Sequence, residues 1–114
     1  MKLSEIIQVL EADVLCGDDF SVEISTACGS DLMSDALAFV KEQGMLLTGL
    51  MNPQAIRTAE MLDMKCVAFV RGKRPNEAML ELARESGIAV LSTRFRMFTA
   101  CGKLYSAGLG GGCV

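Results

Sequence analysis

Residues Lys65 to Thr93, KCVAFVRGKRPNEAMLELARESGIAVLST, contain an apolar run, a glycine turn, an amphipathic stretch, a glycine stop and a second apolar run. The first run, Cys66 to Val70, is short, continuous and bounded by turn residues, as a buried strand is. It ends at Arg71-Gly72. From about Pro75 to Glu85 the apolar positions return at helical spacing, and Gly87 supplies the left-handed residue that closes a helix. The second run, Ile88 to Leu91, ends at Ser92-Thr93. Two short strands joined through a helix form a parallel pair, so their polar ends share one edge of a sheet. Open α/β sheets take their ligands at that edge.

The rest of the chain extends the pattern. Leu3, Ile6, Ile7 and Leu10 predict a helix over 3–11, and Val14 to Cys16 predicts a strand closed by Gly17-Asp18-Asp19. Phe20, Val22 and Ile24 alternate with Ser21, Glu23 and Ser25, which predicts a half-buried strand paired with it as a hairpin. A helix capped by Ser30 or Asp31 runs to Gly44, followed by a strand over 45–48. Asn52 then caps a helix whose first position is Pro53, where the missing N–H costs nothing. A last helix passes through Phe95, Phe98, Cys101, Leu104 and Tyr105. The expected architecture is α/β, a single compact domain over 1–109 with a largely parallel sheet flanked by helices, and a flexible Gly-rich tail over 110–114.

The 114 residues suffice for one core. Hydrophobic residues make up 51% of the chain but aromatic ones only 5%, so the core is aliphatic and Met-rich. Met33, Met61, Met64 and Met79 read as core or dimer packing, and this much apolar surface predicts a homodimer. A net charge of -3 opposes a phosphate-coating surface, hence no nucleic-acid role. No apolar run is long enough to cross a membrane and the N-terminal stretch is acidic early, which predicts a cytoplasmic protein.

The chain has no histidine, and no nucleophile stands beside a base. Asp31 and Asp35 fall on one helix face, but acids at a helix start also suit its dipole, so no enzyme is expected. Cys16, Cys28, Cys66, Cys101 and Cys113 are odd in number and contain no Cys-x-x-Cys pair, which points to reduced thiols, with no disulfide framework, no metal site and no cofactor. The candidate ligand site is the strand-end crevice of Thr48, Gly49, Asn52, Arg71, Gly72, Ser92 and Thr93. Arg71 and nearby helix N-termini would favour a small anion there. Capping and turn roles alone explain each of these residue types, and only their convergence at one edge marks a site.

Arg71-Gly72, Pro75, Glu77, Gly87-Ile88-Ala89 and Ser92-Thr93, together with Ser30-Asp31-Leu32-Met33-Ser34-Asp35 and the opening KLSEIIQVLEADVL, resemble the DRTGG domain. The small stand-alone type of that domain is similar to the N-terminal domain of HPr kinase/phosphorylase, and the resemblance covers about residues 2–109. Met51-Asn52 stands where the family has Asp-Arg, Arg71-Gly72-Lys73 where it has Thr-Gly-Gly, and Ala89 where it has Pro. The resemblance implies an HPr-kinase N-domain-like fold and a regulatory or assembly role without kinase activity, since no GxxxxGK[ST] phosphate loop is present. It also implies a partner in a redox or hydrogenase system, with an iron–sulfur or metal-binding accessory role through the cysteines as the alternative.

Overall fold

The computed structural model describes residues 1–39 and 44–111. In chain order the elements are α1 (Leu3–Leu10), β1 (Asp13–Cys16), β2 (Thr26–Gly29), α2 (Met33–Phe39), β3 (Met45–Thr48), α3 (Pro53–Met61), β4 (Cys66–Phe69), α4 (Glu77–Ser86), β5 (Ala89–Ser92), α5 (Met97–Ser106) and β6 (Gly110–Gly111). They build one six-stranded sheet in the order β1-β5-β4-β3-β2-β6. All neighbours run parallel except β1, which lies antiparallel against β5 with Asp13 opposite Ser92.

Strand alternation divides the core between the two faces. Met45, Leu47, Cys66, Ala68 and Leu91 turn toward one face and pack with Leu3, Ile6 and Leu10 of α1 and Ala100 and Leu104 of α5. Leu46, Val67, Phe69 and Val90 turn toward the other, against Ala55, Ile56 and Ala59 of α3 and Met79 and Ala83 of α4. The sheet is thus buried on both sides, which is why β3, β4 and β5 read as continuous apolar runs. Met33, Met64 and Met79 belong to this core, whereas Met61 is 70% exposed.

The hairpin expected from Phe20 to Ile24 does not form. The alternation is real, but its partner is a helix end: Leu3 N–H donates to Val22 C=O and Ser4 N–H to Phe20 C=O, both at 2.9 Å. α1 has no side-chain cap at Lys2, so these carbonyls satisfy amides that a helix start leaves free. β1 pairs instead with β5, and β2, which sequence reasoning missed, enters beside β3. The expected tail also begins inside the sheet, because Gly110 and Gly111 pair with Thr26 and Ala27. The remainder of the tail, and the end of the helix expected to reach Gly44, fall outside the described residues.

Three consecutive crossovers carry β2 to β3, β4 and β5 with α2, α3 and α4 packed on one another, while α5 crosses back beside α1. β4 therefore passes the chain to one face and β5 to the other. The connections part between the C-terminal ends of β4 and β5, which is the switch point where such sheets open a crevice.

Candidate functional site

Arg71 and Gly72 follow β4 at that switch point. Both have positive φ, 61° and 68°, and Lys73 N–H closes the turn on Val70 C=O at 3.2 Å. Glycine adopts this backbone freely, whereas an arginine is held there at some cost. The turn is fixed from outside: Arg71 N–H donates to Phe95 C=O and Gly72 N–H to Thr93 C=O, both at 2.8 Å. The Arg71 side chain consequently reaches back over β3, where its guanidinium lies against Gly49.

Gly49 is buried and its own amide is spoken for. Asp31 Oδ1 accepts from Gly49 N–H at 2.6 Å and from the Thr48 hydroxyl at 3.2 Å, and Thr48 Oγ1 in turn accepts from Leu50 N–H at 3.1 Å. Asp31 thus ties the loop after β2 to the end of β3. Sequence reasoning placed Asp31 as a helix cap or half of an acid pair; the Ser30-Asp31 match was the available signal for a fixed role at this edge.

The other basic residues nearby are mostly committed. Arg74 pairs with Asp13, and Arg94 pairs with Glu11 at 3.1 Å. Lys103 Nζ sits 4.8 Å from the centre of the Phe95 ring. Arg71 and Lys73 form no ion pair among the described residues, and the Arg71 side chain is exposed.

The expected site residues therefore separate. Thr48, Gly49, Arg71 and Gly72 come together at the switch point. Ser92 and Thr93 reach the same edge, but their hydroxyls donate to Lys73 C=O and Leu10 C=O, each at 2.7 Å, and both residues are buried. They fasten the turn and α1 to the sheet. Asn52 is an exposed N-cap, its Oδ1 accepting from Gln54 N–H at 2.9 Å.

The cysteines are spread over the fold. Cys16 ends β1 at one sheet edge, Cys28 lies in β2 beyond three intervening strands, Cys66 is fully buried in β4 and Cys101 is in α5. Burial pushes the Cys66 thiol up to about 12, and it also raises Cys16 and Cys101. No group of three or more His, Cys, Asp or Glu side chains among the described residues could hold a metal ion, and Cys113 lies outside them. Nor is any described helix long and apolar enough to cross a membrane.

No family model matches this chain, and no curated protein does. Among solved structures it is similar to the CBS and DRTGG domains of the regulatory region of Clostridium perfringens pyrophosphatase, with a TM-score of 0.72 at 18% identity. The match covers 90% of this chain and 45% of the other, so the chain spans less than half of that structure. At this identity the likeness establishes the fold, an α/β domain with a mostly parallel sheet flanked by helices, and it is consistent with a DRTGG domain. The pyrophosphatase region was crystallised with an activator, diadenosine tetraphosphate.

Proposed function

We propose that this domain is a non-catalytic regulatory module that binds a small anion at the switch point, with Arg71 as its principal contact. The observation that carries the reading is the guanidinium itself: exposed, without a counter-ion among the described residues, and held over Gly49 by a turn whose backbone favours glycine. A cation kept in so constrained a setting is explained by what it contacts, because turn geometry alone would select another residue. Lys73 adds a second uncommitted charge two residues on. The likeness to a regulatory region of a pyrophosphatase supports the same reading, as does the polyanionic activator bound there. A homodimer, with Phe98 and Tyr105 of α5 available to a second copy at 90% and 76% exposure, is part of the proposal.

The test is a thermal-denaturation screen of the wild type and Arg71→Ala against inorganic phosphate, nucleotides, diadenosine tetraphosphate and phosphorylated metabolites. At least one anion should raise the wild-type Tm and leave the variant unmoved. A wild type indifferent to every anion, or an equal rise in both proteins, would overturn the assignment. Elution as a strict monomer at high concentration would remove the dimer.

A further inference from the structure

The other end of the sheet holds a cavity that the Arg71 edge does not use. It has a volume of about 520 Å3 and lies between the turn after β1, Lys65 at the entry to β4, and the junction of α4 with β5. Small-molecule sites commonly enclose roughly 300–1,000 Å3. Cys16 and Ile88, both buried, line it together with Val22, so part of the wall is aliphatic.

Its rim bears both signs of charge. Asp18 and Lys65 are exposed, line the cavity from different elements, and form no ion pair among the described residues. The neighbouring charges are engaged: Asp19 Oδ1 accepts from the Ser21 N–H and hydroxyl at 3.1 and 2.6 Å, and Arg84 pairs with Glu77 at 2.9 Å. One carboxylate and one ammonium are left uncommitted. The turn that presents Asp18 is fixed in place by Gly17, whose φ of +126° suits glycine and whose missing side chain lets the turn lie against Ala89, since a Cβ there would stand 3.0 Å from the Ala89 methyl.

A simple anion entering this cavity would meet Asp18, and a simple cation would meet Lys65. A ligand carrying both charges on an apolar body answers both and fills the aliphatic wall. We infer that the cavity binds a small zwitterion of the apolar α-amino-acid class, its carboxylate on Lys65, its ammonium on Asp18 and its side chain against Ile88 and Val22. The site is separate from the anion edge, because Lys65 precedes β4 and Arg71 follows it.

Two-dimensional amide NMR of the intact chain titrated with L-leucine, L-methionine and L-phenylalanine tests this, with 4-methylpentanoate and isopentylamine as single-charge controls. At least one amino acid should shift the Gly17, Asp18 and Gly87 amides saturably and leave Gly49 and Gly72 in place. Asp18→Asn and Lys65→Gln should each weaken that binding by about tenfold, as expected for a lost charge-assisted contact. Both changes are at exposed positions, and the wild-type titration stands without them. The absence of shifts with all three amino acids up to millimolar concentration overturns the inference. So does binding of either single-charge control as tight as the amino acid, or unchanged affinity in both variants.

Discussion

The guanidinium of Arg71 lies so close to Gly49 that a methyl group on the Gly49 α-carbon would stand 2.5 Å from Nη2. The conflict is with the end of a flexible side chain, and the Gly49 backbone does not need positive φ. Gly49→Ala should therefore change stability by less than about 1 kcal/mol while pushing the guanidinium off its seat. Chemical denaturation together with the anion screen checks this: near-normal stability with a lost anion response is the expected pair.

Arg71→Gly should separate the backbone from the charge. Relief of a left-handed arginine is worth about 1 kcal/mol, partly offset by the greater freedom of glycine in the unfolded chain. The expected outcome is a protein at least as stable as the wild type that no longer responds to anions. A clear loss in the urea midpoint would mean that the side chain holds the turn together.

Asn76 begins α4, and its Oδ1 accepts from Met79 N–H at 3.0 Å. Asn76→Ala leaves that amide without its partner and should lower unfolding free energy by about 1 kcal/mol, read as a shifted midpoint at constant slope. The anion response should survive, since the cap does not contact Arg71.

Burial pushes the Cys66 thiol to about 12 from an ordinary 9.0. Below about pH 9 both folded and unfolded chains keep this proton, and its contribution to stability is intact. Between about pH 9 and 12 the unfolded chain releases the proton and the native chain does not, so stability falls by up to about 1.4 kcal/mol per pH unit from this group. Urea midpoints measured at about pH 8 and pH 10.5 should show the fall. Cys66→Ala should make the decline shallower, whatever it does to stability at neutral pH.

The central architecture was legible because β3, β4 and β5 are buried on both faces and leave continuous apolar runs, and because Asn52, Pro53 and Gly87 carry the chemistry of helix ends. β2 left no comparable mark: Thr26, Ala27, Cys28 and Gly29 are small residues, and Gly29 lies where a Cβ would stand 2.7 Å from the Cys101 sulfur. Phe20, Val22 and Ile24 gave a true strand period whose carbonyls turned out to serve the start of α1, a pairing that periodicity does not encode. At the site, strand ends could be located by pattern, which placed Thr48, Gly49 and Arg71 at one edge of the sheet. What the Ser92 and Thr93 hydroxyls bind depends on carbonyls at Lys73 and Leu10, which only the folded chain brings near.

The strand order also sets a course for assembly. β2, β3, β4 and β5 are neighbours in sequence and in space, so each can join through one short crossover, whereas β1 must wait for β5 and β6 must return from β5 past β4, β3 and β2 to pair with the outer side of β2. Closing such distant pairs is entropically slow, so the expected folding nucleus is the four inner strands, with both margins joining after it. Weakening the hydroxyl link from Thr93 to Leu10, which ties the end of α1, just before β1, to the end of β5, should accordingly hasten unfolding and leave the rate of folding almost unchanged.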